Sequence, residues 1–276
     1  MDLSGSCVCN CIEPAGAPDC SRGPGSTGRT LRTGKDGDIQ LPDFLRTIDV
    51  LTITDEAPVQ YPGRTPVLTR LAPDDSWNGP TVGAVLALHG GRVRGRRAVG
   101  RLDLPMLRMY AIARSLADRL APDGIAVWML RYAVQGWNGA DASPVADARW
   151  ALRQVASHAD VPVAIVGHSM GGRTALRVAG ASNVAGVVAL APWIPPGEPM
   201  GDLAGRRLII GHGTADRTTD PRASRAYASD AWGVASEVRC VDVPGEGHAL
   251  LRKPGWWNEF AADSAREVLA STTALS

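Results

Sequence analysis

A serine lies between two glycines in a pattern that is typical of nucleophilic chemistry. Gly167, Ser169 and Gly171 follow an apolar run, 161–166, and lead into an Ala-rich segment, 174–179, that is typical of a helix. A strand-to-helix turn of this kind is tight and strained, and glycine avoids the Cβ clashes where the chain doubles back. The GxSxG pattern therefore makes Ser169 the first candidate nucleophile, with an ordinary helix N-cap serine as the alternative.

Two further residues have the chemistry that such a serine needs. A serine hydroxyl is a poor nucleophile near neutral pH, so a base must accept its proton, and the imidazole of His248, in PGEGH, is suited to this task. Asp216, in GHGTAD, could fix the tautomer of that imidazole and stabilise the imidazolium. Asp202 and Asp220 are nearby competitors for the role of the acid.

Short apolar runs that alternate with helical patterns would position these residues. The alternation is typical of a parallel sheet that is covered by helices on both faces. The first two runs follow each other without room for a helix, so they predict an antiparallel edge. The eight predicted strands are 48–54, 67–71, 82–88, 125–130, 161–166, 184–191, 208–210 and 238–243.

Besides the helix after Ser169, four helices are predicted between and after these strands. Apolar residues from Met109 to Leu120 keep the i, i+3, i+4 and i+7 spacing of a helix face, and 148–155 repeat it. Pro221 predicts the first residue of another helix, because Asp220 before it is a good N-cap. A last helix is predicted over residues 256–269.

With these motifs in order, the chain resembles the α/β-hydrolase superfamily of serine hydrolases over roughly residues 45–272. The resemblance rests on His89, Gly90 and Gly91 after the third run, the elbow around Ser169 after the fifth, Asp216 after the seventh and His248 after the eighth. It implies one α/β-hydrolase domain, with a mostly parallel eight-stranded sheet and a catalytic triad in the order Ser, Asp, His.

The resemblance also implies an oxyanion hole, formed by the backbone amides of Met170 and Gly91. It implies that His89 braces the oxyanion loop. His168 lies inside the elbow motif but, by strand alternation, we expect it to point away from the site and to be structural. His158 and His212 receive no role from the sequence.

The connection between the sixth and seventh runs, 192–207, is short and rich in proline, which predicts little or no cap domain. An open site of this kind suits small or polar esters. Trp137 and Trp193 are candidate pocket walls, with peripheral packing as the alternative. Arg92 and Arg94 begin a basic run after Gly91 and could hold a carboxylate or phosphate, although a solvated loop is the alternative.

Charge and hydropathy limit the partners and the cellular location that we expect for this protein. The formal net charge of +1 gives no reason to expect nucleic acid or an anionic membrane as a partner. No run approaches the roughly 18 apolar residues of a membrane span, and no secretory pattern is visible, so we expect a cytoplasmic protein. Residues 1–38 predict a disordered tail and 39–276 the hydrolase domain.

The sequence thus predicts a serine hydrolase that cleaves an ester, thioester or related carbonyl bond through an acyl-enzyme on Ser169, without a cofactor or metal. The predicted partner is a small ester-type substrate. A noncatalytic ligand-binding module on the same fold is one alternative. A metal-responsive protein that acts through the four cysteines of the tail, Cys7, Cys9, Cys11 and Cys20, is another.

Overall fold

The structure is a computed structural model that describes residues 49–58, 60–71 and 79–273. The predicted tail, its four cysteines and the first residues of the predicted domain lie outside these ranges, so the tail stays a prediction. The strands are β1 (Asp49–Ile53), β2 (Val67–Leu71), β3 (Gly83–Leu88), β4 (Ile125–Arg131), β5 (Val163–His168), β6 (Val184–Leu190), β7 (Arg207–Gly213) and β8 (Glu237–Val243). The helices are α1 (Leu104–Leu120), α2 (Ser143–His158), α3 (Met170–Val178), α4 (Pro221–Ala231) and α5 (Pro254–Thr273).

All eight strands form one sheet, in the order β1-β2-β4-β3-β5-β6-β7-β8. The strands β1, β2 and β4 pair antiparallel, whereas β4 pairs parallel with β3, and parallel pairing continues from there to β8. The predicted antiparallel edge and the mostly parallel sheet are therefore confirmed. Because parallel strands point the same way, the carboxyl ends of β3, β5, β7 and β8 meet at one edge of the sheet.

Alternating side chains of the sheet build two separate hydrophobic cores. In β3, Leu86 and Leu88 pack with Trp150 of α2 and Leu176 of α3 on one face. On the other face, their neighbours in β3 pack with residues of α1 and α5, including Trp257. The sheet is thus covered on both faces, which explains why its central strands are apolar throughout rather than alternating.

Most predicted elements differ from the observed ones only at their ends. The strand β5 begins at Val163 rather than at 161, because Pro162 has no N–H to donate to a ladder. The strand β7 is longer than its apolar core, since His212 and the flanking glycines continue to pair with β8 as far as Gly213. The predicted N-cap is confirmed, because the Asp220 side chain accepts a hydrogen bond from the amide of Arg222.

The predicted lack of a cap domain is also confirmed. Residues 191–206, all of which the structure describes, connect β6 to β7 and contain no helix. An ion-pair cluster holds this connection against α3: Glu198, whose side chain is 1% exposed, lies 2.5 Å from Arg173 Nη2 and 2.5 Å from Arg177 Nε. The connection is therefore fixed over the helix that follows Ser169.

No helix within the described ranges combines the length and the hydropathy that a membrane crossing requires.

One buried carboxyl group makes stability depend on pH. Asp147 of α2 is 1% exposed, and its Oδ2 accepts a hydrogen bond from the amide of Ala133 at 2.9 Å. Burial raises the pKa of Asp147 from 3.8 to about 7, and the hydrogen bond from Ala133 opposes this shift only in part. The folded protein therefore holds a proton on this side chain at pH values where the unfolded chain has released it.

We expect Glu198→Gln to lower the free energy of unfolding by about 3 kcal/mol, because it leaves the buried guanidinium of Arg173 without its counter-charge. The melting temperature, measured by calorimetry, checks this result. Glu237→Gln is the matched control, since Glu237 also pairs with an arginine, Arg207, but its side chain is 47% exposed. Equal losses in the two variants would contradict the role of the buried cluster.

We expect Asp147→Asn to remove a pH dependence of stability. Because the folded pKa lies above the unfolded value, the free energy of unfolding of the wild type falls as pH rises from about 4 to about 7. Between pH 5 and pH 8 this amounts to about 2–3 kcal/mol, so the Tm of the variant relative to wild type should be about 5–10 °C more favourable at pH 8 than at pH 5. Asp160→Asn, at an exposed position, is the control, and an equal offset at both pH values for Asp147→Asn would refute the assignment.

Candidate active site

Ser169 occupies the sharp turn between β5 and α3. Its backbone has φ 56° and ψ −115°, a left-handed conformation that is rare for a residue with a Cβ. Its amide donates to the carbonyl of Leu190 at 3.0 Å, and its carbonyl accepts from the amides of Arg173 and Trp193. The Ser169 side chain makes no hydrogen bond that caps α3, so the structure does not support the N-cap alternative.

Backbone crowding explains why glycines flank the serine. A Cβ on Gly171 would collide with the backbone of Leu88 and would lie 2.7 Å from the carbonyl oxygen of His89. A Cβ on Gly167 would lie 2.5 Å from the carbonyl carbon of Gly171, across the turn. Both distances are far below ordinary van der Waals contact, so any other residue would push α3 away from the sheet.

The structure brings Ser169, His248 and Asp216 together at the carboxyl edge of the sheet. The Oγ of Ser169 lies 3.0 Å from Nε2 of His248, and Nδ1 of His248 lies 2.8 Å from Oδ2 of Asp216. Ser169 is 8% exposed and Asp216 9%, so the chain of contacts is largely shielded from water. The other two candidate acids are not part of it: Asp220 caps α4, and the Asp202 side chain lies against Gly180.

The carboxylate of Asp216 accepts hydrogen bonds from five groups. Its Oδ1 accepts from the amides of Thr218 and Thr219, at 2.7 and 3.0 Å. Its Oδ2 accepts from the hydroxyl of Thr219 at 2.8 Å and from the imidazoles of His248 and His212. Burial alone would raise the pKa of Asp216, but hydrogen bonds from His212, His248 and the two amides outweigh it and hold the pKa well below its usual range.

His212 is a member of this network that the sequence did not identify. It is completely buried in β7, with Nε2 3.1 Å from Oδ2 of Asp216 and Nδ1 2.7 Å from the hydroxyl of Ser224. Since the ionised carboxylate only accepts, Nε2 carries the proton and Nδ1 accepts from Ser224. The only sequence signal was a histidine four residues before the acid in GHGTAD, and that spacing by itself predicts no contact.

His168, expected to point away from the site, lies beside His248 instead. The two rings have centroids 4.9 Å apart, and Nε2 of His168 donates to the backbone carbonyl of His248 at 2.9 Å. Burial, followed by the charge of His248, lowers the pKa of His168 to about 3, so the ring is neutral. The predicted structural role fits this geometry, but the ring lies against His248 rather than away from the site.

The loop after β3 carries the predicted oxyanion residue Gly91 next to Met170. A Cβ on Gly91 would lie 2.6 Å from Sδ of Met170, and a Cβ on Gly90 would lie 3.4 Å from Cβ of Ser169. Within the described ranges, neither the amide of Gly91 nor that of Met170 donates to a backbone carbonyl outside its own element. Gly91 therefore contacts the residue that directly follows Ser169.

His89 connects this loop to β4. Its Nδ1 lies 2.6 Å from the carbonyl of Gly90, and its Nε2 accepts from the amide of Tyr132 at 3.2 Å. Burial lowers the pKa of His89 to about 4, so the ring is neutral. A neutral imidazole that donates at Nδ1 and accepts at Nε2 satisfies both contacts and fixes the loop.

The structure places the predicted pocket residues in different surroundings. Trp137 and Trp193 both lie against Arg173, with ring centroids 3.7 and 4.5 Å from its guanidinium carbon and ring planes at 86° to each other. Arg92 lines a cavity of about 270 Å³ beside Gly90 and Gly91, whereas Arg94 is exposed and is not among the lining residues. A larger cavity, of about 600 Å³, lies at the opposite edge of the sheet, at the amino ends of β5 to β8, and is remote from Ser169.

Among the residues that the structure describes, no group of three or more histidine, cysteine, aspartate or glutamate side chains could hold a metal ion. The cysteines of the tail lie outside those residues.

Comparisons with known proteins agree with this architecture. Residues 139–225, which include the elbow and Asp216, match a family model described as an alpha/beta hydrolase domain. No curated protein sequence matches the chain.

Solved structures with similar folds include three bacterial proteins. The esterase Est2 from Thermogutta terrifontis is 18% identical with a TM-score of 0.59, over 84% of this chain and 94% of that one. A serine hydrolase without a lid from Xanthomonas campestris is 18% identical with a TM-score of 0.56, over 79% and 94%. Est1E from Butyrivibrio proteoclasticus is 15% identical with a TM-score of 0.53, over 76% and 97%. The sheet order and these likenesses show that the chain has the α/β-hydrolase fold, and the family match covers the part of it that contains the elbow and Asp216.

Proposed function

We propose that this protein is a serine hydrolase that cleaves carboxylic esters through an acyl-enzyme on Ser169. The observation that carries the proposal is the continuous path from the Ser169 hydroxyl through His248 to Asp216, at 3.0 and 2.8 Å. These distances allow direct proton transfer from hydroxyl to imidazole. The pairing of a nucleophile with a base that a third group orients is the arrangement that activates serine in acyl transfer.

The chemistry follows from the positions of these groups. His248 accepts the proton as Ser169 Oγ attacks the ester carbonyl, and Asp216 stabilises the imidazolium that forms. The amides of Gly91 and Met170 donate to the oxyanion of the tetrahedral intermediate, and the N-terminus of α3 adds a favourable dipole. His248 then returns the proton to the leaving alcohol. Water, deprotonated by the same imidazole, releases the acid from Ser169.

The open architecture supports small substrates. Residues 191–206 contain no helix to cover the site, and the cavity beside Gly91 is only about 270 Å³. Structural neighbours hold small carboxylic acids: Est2 has been solved with propionate and with butyrate, and Est1E with ferulic acid. We therefore propose short or compact acyl esters as substrates, with thioesters as the next class to test.

A noncatalytic ligand-binding module on the same fold is the second candidate. The reactivity of Ser169 distinguishes the two candidates, because a binding module does not need a hydroxyl that is paired with a base. The short contact between Ser169 and His248 favours the enzyme.

We expect a fluorophosphonate probe to label the wild-type protein and Ser169→Ala to lose the label. Wild type should hydrolyse 4-nitrophenyl butyrate, and His248→Ala should lower kcat at least about 1,000-fold, as should Asp216→Asn, because that amide favours the wrong imidazole tautomer. Ser157→Ala, on the surface end of α2, is the matched control. A folded wild type that is neither labelled nor active on any ester would refute the enzyme and favour the binder.

We also expect His212 to act as a positioning residue for Asp216. His212→Phe removes one donor from the carboxylate and should lower kcat about tenfold to a hundredfold with KM unchanged, because the acid loses its fixed orientation. His212→Gln can still donate and should recover most of the activity. A loss of thermal stability without a change in kcat, or no recovery in the glutamine variant, would show that the histidine only fills space.

A further inference from the structure

A cavity next to the proposed nucleophile is formed by the oxyanion loop on one side and the beginning of α1 on the other. It has a volume of about 270 Å³ and is lined in part by Gly90 and Gly91. Because a Cβ on Gly90 would lie only 3.4 Å from Cβ of Ser169, the cavity is directly beside the serine. A group that enters it can therefore belong to the same molecule that reacts at Ser169.

One wall of the cavity is apolar and unusually exposed. Leu102 is 63% exposed and Leu104 is 73% exposed, and both line the cavity together with Met106 and the buried Val99. Large apolar side chains that are clustered and exposed beside a concave site indicate a surface that an apolar ligand covers. Together these residues provide a path for a short hydrocarbon chain.

Asp103, the only acidic residue of the described ranges that lines the cavity, already has its partners. Its Oδ1 lies 2.8 Å from Arg97, and its Oδ2 accepts from Gln135 at 2.7 Å and from the amide of Gly100 at 2.9 Å. Although burial opposes it, these hydrogen bonds lower the pKa of Asp103, so the group stays ionised. Its charge is balanced by Arg97 and does not repel an anion.

Two basic residues of the described ranges line the cavity, and one of them, His89, is buried and neutral. The other, Arg92, has a free side chain on a fixed backbone. Its amide donates to the carbonyl of Gln135 at 2.9 Å, and its carbonyl accepts from the amide of Trp137 at 2.9 Å. Its guanidinium has no hydrogen-bond or ion-pair partner among residues 49–58, 60–71 and 79–273. Arg96 and Arg97, in contrast, pair with Asp141 and Asp103.

We propose that this cavity is a subsite for an ester with a carboxylate at the end of a short hydrocarbon arm, such as a monoester of a dicarboxylic acid. The arm lies on Leu102, Leu104 and Met106, and Arg92 binds the carboxylate. One guanidinium offers two parallel N–H donors, which match the two oxygens of a carboxylate. The inference rests on the proposed ester hydrolysis and specifies its substrate class.

The test compares acidic and neutral esters of equal length. For the acyl arm, the pair is 4-nitrophenyl adipate monoester and 4-nitrophenyl hexanoate. For the alcohol arm, the pair is 4-acetoxybenzoate and 4-acetoxytoluene. In at least one pair we expect wild type to have the lower KM for the acidic ester, and Arg92→Gln to raise that KM about fivefold while the KM of the neutral partner is unchanged.

Three controls separate this effect from general electrostatics. Arg94→Gln removes a nearby charge outside the cavity and should change neither KM. Arg92→Lys keeps the charge and should recover part of the preference. Raising NaCl from 50 to 500 mM should weaken the preference for the acidic ester, because screening acts on the exposed guanidinium.

The two proposals fail in different ways. Hydrolysis of the neutral esters with equal effects of Arg92→Gln on both members of each pair leaves the hydrolase in place and overturns the subsite. Equal effects of Arg92→Gln and Arg94→Gln overturn it as well. If no ester is hydrolysed, calorimetric titration with adipate decides: binding by wild type that Arg92→Gln loses supports the subsite, and no binding by wild type overturns it.

Discussion

The carboxylate of Asp216 is the point to which the rest of the site is fixed. A buried charge is stable only when its lone pairs are filled, and here two backbone amides, one hydroxyl and two imidazoles fill them. These donors come from β7, from the turn after it and from the loop after β8. Because one group links all three segments, a shift in any of them weakens the contacts that orient His248.

Steric crowding fixes the serine just as firmly. The elbow packs so closely against the end of β3 that Gly171 has no room for a Cβ against Leu88 and His89, and the positive φ of Ser169 persists because the surrounding sheet and α3 hold it. The same approach brings the loop with Gly90 and Gly91 beside Ser169. The proposed nucleophile and the proposed oxyanion donors are thus positioned by one packing arrangement.

Related folds can carry a cap domain between the strands that correspond to β6 and β7. In this chain the segment between them, residues 191–206, contains no helix and is held against α3. Arg173 and Arg177 both reach Glu198 and hold residues 191–206 against α3. The two tryptophans that the sequence proposed as pocket walls pack against the guanidinium of Arg173. The exposed side chains of Leu102, Leu104 and Arg92 line the cavity beside Gly90 and Gly91, which is why we propose that they select the substrate.

The sequence by itself determined the class of fold, the order of the strands along the chain and the three residues with the chemistry of a serine hydrolase. These features are local: hydrophobic periodicity, a GxSxG turn, and loops that follow apolar runs. Only the tertiary structure decided which groups meet across the chain, because the donors to Asp216 and the neighbours of His248 come from strands far apart in sequence. The tertiary structure places His212 against Asp216 and His168 against His248, and it places Arg92 but not Arg94 in the cavity lining. Such contacts depend on where strands end and how loops pack, and the pattern of side chains along the sequence does not encode this.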